Sequence, residues 1–126
     1  MSGTNRFFSV EGIRAAIASI VAAREARPDL REAFVRAENL MRELARRVEQ
    51  MPIGDVVVID EGAELVWRVG ERHLRVFFSR EGVQADYIYT AITENRRVSS
   101  SQVMPVEISA FAEQVAWLAQ GNPIAS

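Results

Sequence analysis

Apolar residues recur at helical spacing through the first part of the chain and at a spacing of two through the middle. From Pro28 to Met51, the residues Leu30, Phe34, Ala37, Met41, Leu44, Val48 and Met51 alternate steps of four and three. That spacing places all seven on one stripe of an α-helix, and Leu40 widens it. The opposite side is charged, with Glu32–Arg36, Glu38–Arg42 and Glu43–Arg47 each four apart and the acid first, the favourable order. The pattern predicts a long amphipathic helix over Pro28–Met51. Pro28 suits its first position, Asp29 complements its positive end, and Pro52 and Gly54 stop it. Upstream, Ile13, Ile17, Ile20 and Val21 mark a slimmer, alanine-rich helix that starts near Ser9 or Val10 and ends at Pro28, since the residue before proline avoids the α region. The short connection makes the two an αα-hairpin. Phe7 and Phe8, ahead of it, are expected to fold back on the body.

From Asp55 onward the period is two. Val56–Ile59 is a β-branched run. Leu65, Trp67 and Val69, then Leu74, Val76 and Phe78, then Ala85, Tyr87, Tyr89 and Ala91 each alternate with a second set of residues. Turn residues at Glu61-Gly62, Gly70-Glu71, Glu81-Gly82 and Glu94-Asn95 separate the runs. Four antiparallel strands follow, with a fifth from about Arg97 to Val103. Two-residue turns would pair Val58 with Leu65, Trp67 with Leu74, and Val76 with Tyr87. This register sets apolar against apolar on one face. Pro105 opens a last helix and Gly121 closes it, with Ile108, Phe111, Val115 and Leu118 as its inner stripe. The fold class is α+β: an N-terminal helical hairpin, a four- to five-stranded antiparallel meander and a C-terminal helix, in one domain spanning 1–126.

Composition narrows the function classes. The chain has 126 residues, is 48% hydrophobic and 25% charged, and carries a net charge of -2. That balance gives no general grip on nucleic acid or an anionic membrane. No apolar run approaches the ~20 residues that span a bilayer, and the start lacks the apolar core of a signal peptide; the expected location is cytoplasmic. With no cysteine, disulfides, thiol nucleophiles and thiolate metal sites are excluded. All fifteen cations are Arg, a bias that coding composition explains more simply than function does.

Candidate chemistry is sparse. His73 is the only histidine, without the companions a metal site needs. Asp55, Asp60, Glu61 and Glu64 cluster around the first hairpin and read as turn residues. Ser99–Ser101 have no base at a recognisable spacing, and Arg96-Arg97 is too small a basic corner for nucleic acid. No catalytic, cofactor-binding or metal residue is assigned. Two surfaces carry more. On the register above, Val57, Ile59, Val66, Phe77 and Ile88 share the second face of the sheet, where either one of the chain's own helices or a partner covers them. Trp117 falls nearly opposite the inner stripe of the last helix, as an interface anchor would, unless Phe7, Phe8 or the C-terminal tail covers it. Trp67, Tyr87 and Tyr89 share the other sheet face, as core or as the lining of a ligand pocket.

The stretch ELVWRVGERHLRVFFSREGVQADYIY, through Trp67, Gly70, Leu74, Val76, Gly82 and Tyr87, resembles small bacterial helix-plus-β-meander proteins, some of them of accessory or toxin-neutralising type. The resemblance implies a meander flanked by helices and carries no catalytic residue across. The expected function is a non-enzymatic protein-binding module that contacts another protein or a second copy of itself as a homodimer. The alternative is a small-ligand binder or enzyme with a pocket at Trp67, Tyr87 and Tyr89. Neither reading implies a cofactor, a membrane or nucleic acid.

Overall fold

The computed structural model describes residues 10–47 and 55–120. Helix α1 covers Val10–Ala26. It stops where Arg27, next to Pro28, leaves helical geometry at φ -131°, ψ 75°, outside the α region that proline disfavours for its predecessor. Pro28–Leu30 forms a 3-10 turn, with the Leu30 N–H bonded to the Arg27 carbonyl, and α2 then covers Arg31–Ala45. The long helix therefore begins three residues later than its apolar stripe predicts. It ends at Ala45, followed by a turn at Arg46 and Arg47. Val48, Met51, Pro52 and Gly54, which were expected to finish and stop it, lie outside the described residues, as do Phe7, Phe8 and Gly121. The stripe itself is buried as its spacing requires: Phe34, Ala37, Met41 and Leu44 reach no solvent.

Of the three expected ion pairs along α2, Glu38–Arg42 forms, at 2.8 Å. Glu43 pairs with Arg46 instead of Arg47. Arg36 leaves Glu32 and reaches into the sheet. Glu38 also receives Arg24 of α1 at 2.6 Å, so one carboxylate ties the two helices of the hairpin. The Arg42 hydrogen bond and the Arg24 charge hold that carboxyl below the ordinary glutamate range.

The sheet has five antiparallel strands in sequence order: β1 (Asp55–Ile59), β2 (Gly62–Val69), β3 (Arg72–Ser79), β4 (Tyr87–Glu94) and β5 (Arg97–Val103). Trp67 pairs with Leu74 as its alternation predicts. Across β1 and β2, Val58 opposes Ala63 and Leu65 opposes Val56. The shift from the expected pairing is two residues, so every side chain keeps its face.

Between β3 and β4 the shift is one residue, and the face changes. Val76 opposes Ile88, and Phe77 opposes Tyr87. The link is no two-residue turn: it runs from Arg80 to Asp86 and contains a 3-10 turn at Val83–Ala85. The register that apolar matching disfavoured is the one adopted, because Asp86 has a partner inside. Arg36 grips its carboxylate at 2.7 and 2.9 Å, and the Ser79 N–H donates to it at 2.7 Å. A buried carboxylate with those donors costs far less than one left alone.

Helix α3 covers Ile108–Ala119, three residues after Pro105 rather than at it. One contiguous core joins Ile13, Ala16 and Ile20 of α1, the α2 stripe, and Phe111, Val115 and Leu118 of α3 to Ala63, Leu65, Trp67, Leu74, Val76, Phe78 and Ile88 of the sheet. All three helices therefore lie on the same face of the meander. Trp117 is not turned outward. It is half-buried against the core, with the Arg72 guanidinium 4.9 Å from its ring centroid and also bonded to its carbonyl. The helical wheel misses this because it does not show that Arg72 rises from the core face of β3 beside the end of α3.

Candidate functional site

The face of the sheet away from the helices is built from alternate residues of each strand. One cross-strand row runs Val57, Glu64, Phe77, Tyr87; the next runs Asp55, Val66, Arg75, Tyr89, Gln102; a third runs Arg68, His73, Ala91, Ser100. Ile59 stands at the end of β1, opposite Gly62. Val57 is 38% exposed and Ile59 37%. Val66, Tyr87 and Tyr89 are half-buried. Phe77 is buried, at 8% exposure, with its ring 5.2 Å from that of Tyr87. Arg75 lies over Tyr89 at 5.9 Å. A shallow recess of about 480 Å³ opens beside this group, lined by Ile59, Phe77, Tyr87, Ala85 and the turn residues Asp60, Glu61, Arg80 and Glu81, with Ser79.

Five of the six residues expected on this face or as anchors are thus resolved by geometry into two groups. Val57, Ile59, Val66 and Phe77 come together here. Ile88 does not: it is fully buried among the helices, because the one-residue shift between β3 and β4 turns it inward. The same shift brings Tyr87 and Tyr89 onto the outer face and away from Trp67. Trp67 is 2% exposed and tilts against Phe111 at 5.8 Å. The three aromatics therefore share no pocket, and the grouping of Trp67 with Tyr87 and Tyr89 is corrected. Trp117, the sixth, belongs to the helix side, where it borders a groove with Thr90, Ile92, Ser99 and Ser101.

Apart from the tyrosines, five ionisable side chains stand in these rows, Asp55, Glu64, Arg68, His73 and Arg75, the last three next to one another. Partial burial, and then the nearby Arg68 and Arg75 cations, hold the His73 imidazole below its ordinary value. Its Nε2 lies 3.5 Å from the Thr93 hydroxyl. At the first hairpin, the Arg80 guanidinium donates to the Asp60 main-chain carbonyl and the Arg80 N–H to the Glu61 main-chain carbonyl. Among the described residues, no group of three or more His, Asp or Glu side chains could hold a metal ion, and no helix is long and apolar enough to cross a membrane. Chemically, the face offers apolar and aromatic contact area bordered by two guanidinium groups.

Sequence reasoning missed two features. The Arg36–Asp86 pair was signalled by an acid at a position that alternates with apolar residues. Val98, 63% exposed, was signalled by its place on a strand with little else to bury. No protein-family model matches this chain, and no curated protein or solved structure matches it either.

Proposed function

We propose that this chain is a non-enzymatic protein-binding module, an accessory, inhibitor or antitoxin-like subunit, that docks a partner on the outer face of its sheet. The observation that carries the reading is the one-sided placement of the helices. All three cover the same face, while the opposite one keeps Val57, Ile59, Val66, Phe77, Tyr87 and Tyr89 together without a described helix above them. A contiguous apolar group of that kind marks an interaction surface far more often than a solvated one. The rim suits a partner that brings an apolar anchor to the recess beside Ile59 and Tyr87, and carboxylates to Arg68 and Arg75. Tyrosine and arginine are the residue types that dominate interface energetics.

The test is a reconstituted complex. A protein captured by the wild-type chain is identified, purified and titrated against wild type and Ile59→Asp. A charge placed at the exposed end of β1 lowers affinity by about tenfold or more, of order 1.4 kcal/mol, with the melting temperature unchanged. Equal affinity of the two chains for the purified partner defeats the reading, as does a saturable affinity that Trp117→Ala abolishes and Ile59→Asp leaves alone.

A further inference from the structure

Strand β5 is one of the two edges of the sheet, the other being β1. Among the described residues no strand lies on its far side, since the order ends at β5. Six of its seven residues are exposed, from Arg97 to Gln102. Natural edges of this length are normally blunted by lysines, prolines or bulges. This one has none of these. Its pairing to β4 runs unbroken through seven consecutive residues, and its one charged residue is Arg97, at the hairpin end.

The direction of its free backbone groups follows from the ladder. The Thr93 N–H donates to the Glu71 carbonyl at 2.9 Å, so odd-numbered residues of β4 bond toward β3 and even-numbered ones toward β5. The tight turn at Asn95 and Arg96, with φ 52° and 66°, closes on Glu94 and Arg97. Antiparallel ladders alternate, so Arg97, Ser99, Ser101 and Val103 bond inward to Glu94, Ile92, Thr90 and Ile88. Val98, Ser100 and Gln102 turn their N–H and C=O groups outward.

We propose that β5 pairs with β5 of a second copy, antiparallel about a two-fold axis through Ser100, to give one continuous ten-stranded sheet. That centre sets Ser100 against Ser100 and Val98 against Gln102, so each outward residue meets an outward residue and about six main-chain hydrogen bonds form. Moving the axis to Ser99 or Ser101 leaves one outward residue of each copy without such a partner. Charge fits the same centre. Arg97 of one copy faces Val103 of the other, so the two Arg96-Arg97 corners lie at opposite ends of the joint. Each comes to the end where the other chain leads through the exposed Glu107 into α3. A two-fold joint of like strands closes on itself and builds no filament. The assembly uses the edge and not the outer face, so it stands or falls separately from the docking reading above.

Sedimentation of the full chain over a wide concentration series gives a reversible doubling of mass. Ser100→Glu and Ser100→Arg each set like charges face to face across the axis and weaken self-association by about tenfold or more. An equimolar mixture of the two restores the dimer. In the wild type, hydrogen exchange at Val98, Ser100 and Gln102 slows as concentration rises, while Ser99 and Ser101 stay protected throughout. A wild-type chain that remains monomeric, a dimer that survives both charge variants, or a mixture that fails to re-dimerise overturns the proposal.

Discussion

Gly62 begins β2 at φ 156°, and a Cβ placed there would sit 2.0 Å from the Phe78 carbonyl oxygen. The backbones of β2 and β3 meet at that point with no room for a side chain, in a conformation that other residues rarely adopt. Gly62→Ala is expected to cost about 1–3 kcal/mol, read as a lower urea midpoint with an unchanged slope. His73 acts through protonation. Its folded pKa lies below the unfolded value, so the unfolded chain takes up the proton first as pH falls. The stability tied to the neutral imidazole is full above about pH 7.5. It declines as pH drops through about 6.5, the unfolded histidine value, and is lost once pH reaches the lower folded value. Denaturation curves across that window should fall more steeply for wild type than for His73→Gln. Parallel curves would show that neither burial nor the Arg68 and Arg75 cations lower the imidazole's proton affinity in the folded chain.

Among the elements, the link between α2 and the β3–β4 turn decides the most. Arg36 holds Asp86 and the Ser79 carbonyl at once, the latter at 2.5 Å, and Asp86 is 1% exposed. Removing one partner leaves the other unpaired, Asp86 in the interior or Arg36 at its edge with 23% of its side chain exposed, so Asp86→Ala is expected to cost about 3 kcal/mol. Arg36→Met costs a similar amount. The double variant is less damaging than the sum, because neither charge is then left alone; additive losses in chemical denaturation would refute the coupling. This pair also explains what was legible in the sequence. Helix periodicity located α1 and α2, alternation located β2, β3 and β4, and a β-branched run located β1, because burial of a stripe or of one strand face is a local signal; β5, with little to bury, was legible only as the partner that follows the Glu94-Asn95 turn. Register across a seven-residue link is not local. Matching apolar to apolar favoured Tyr87 opposite Val76, and nothing near Asp86 in sequence showed that a helix fifty residues upstream would supply its cation. Apolar matching therefore groups Ile88 with the outer face and leaves Tyr87 and Tyr89 out of it. The end of α2 was over-extended because the stripe continues in sequence past Ala45, where the helix stops.

At the scale of the whole molecule, the two layers divide the chain into a side that holds the fold together and a side that does not. Substitutions on the two sides should therefore separate by what they change. Trp117 is the sharper case, since its large ring invites an interface role while its surroundings argue otherwise. The ring packs on the core, lies under the Arg72 guanidinium and helps fix the end of α3 beside β3. A half-buried tryptophan of this kind gives up both contact area and a cation–π partner on truncation. Trp117→Ala is expected to lower stability by about 2 kcal/mol and to leave the association of the folded chain intact. Tyr89→Ala, on the outer face, removes a ring whose partners are Arg75 and its strand neighbours, and a change at such a place stays within about 1 kcal/mol. Thermal melts of the two variants beside wild type, read together with their affinity for a reconstituted partner, check the division. If Tyr89→Ala melts lower than Trp117→Ala, the outer face is part of what holds the molecule folded, and its tyrosines are then committed to the body rather than offered to another protein.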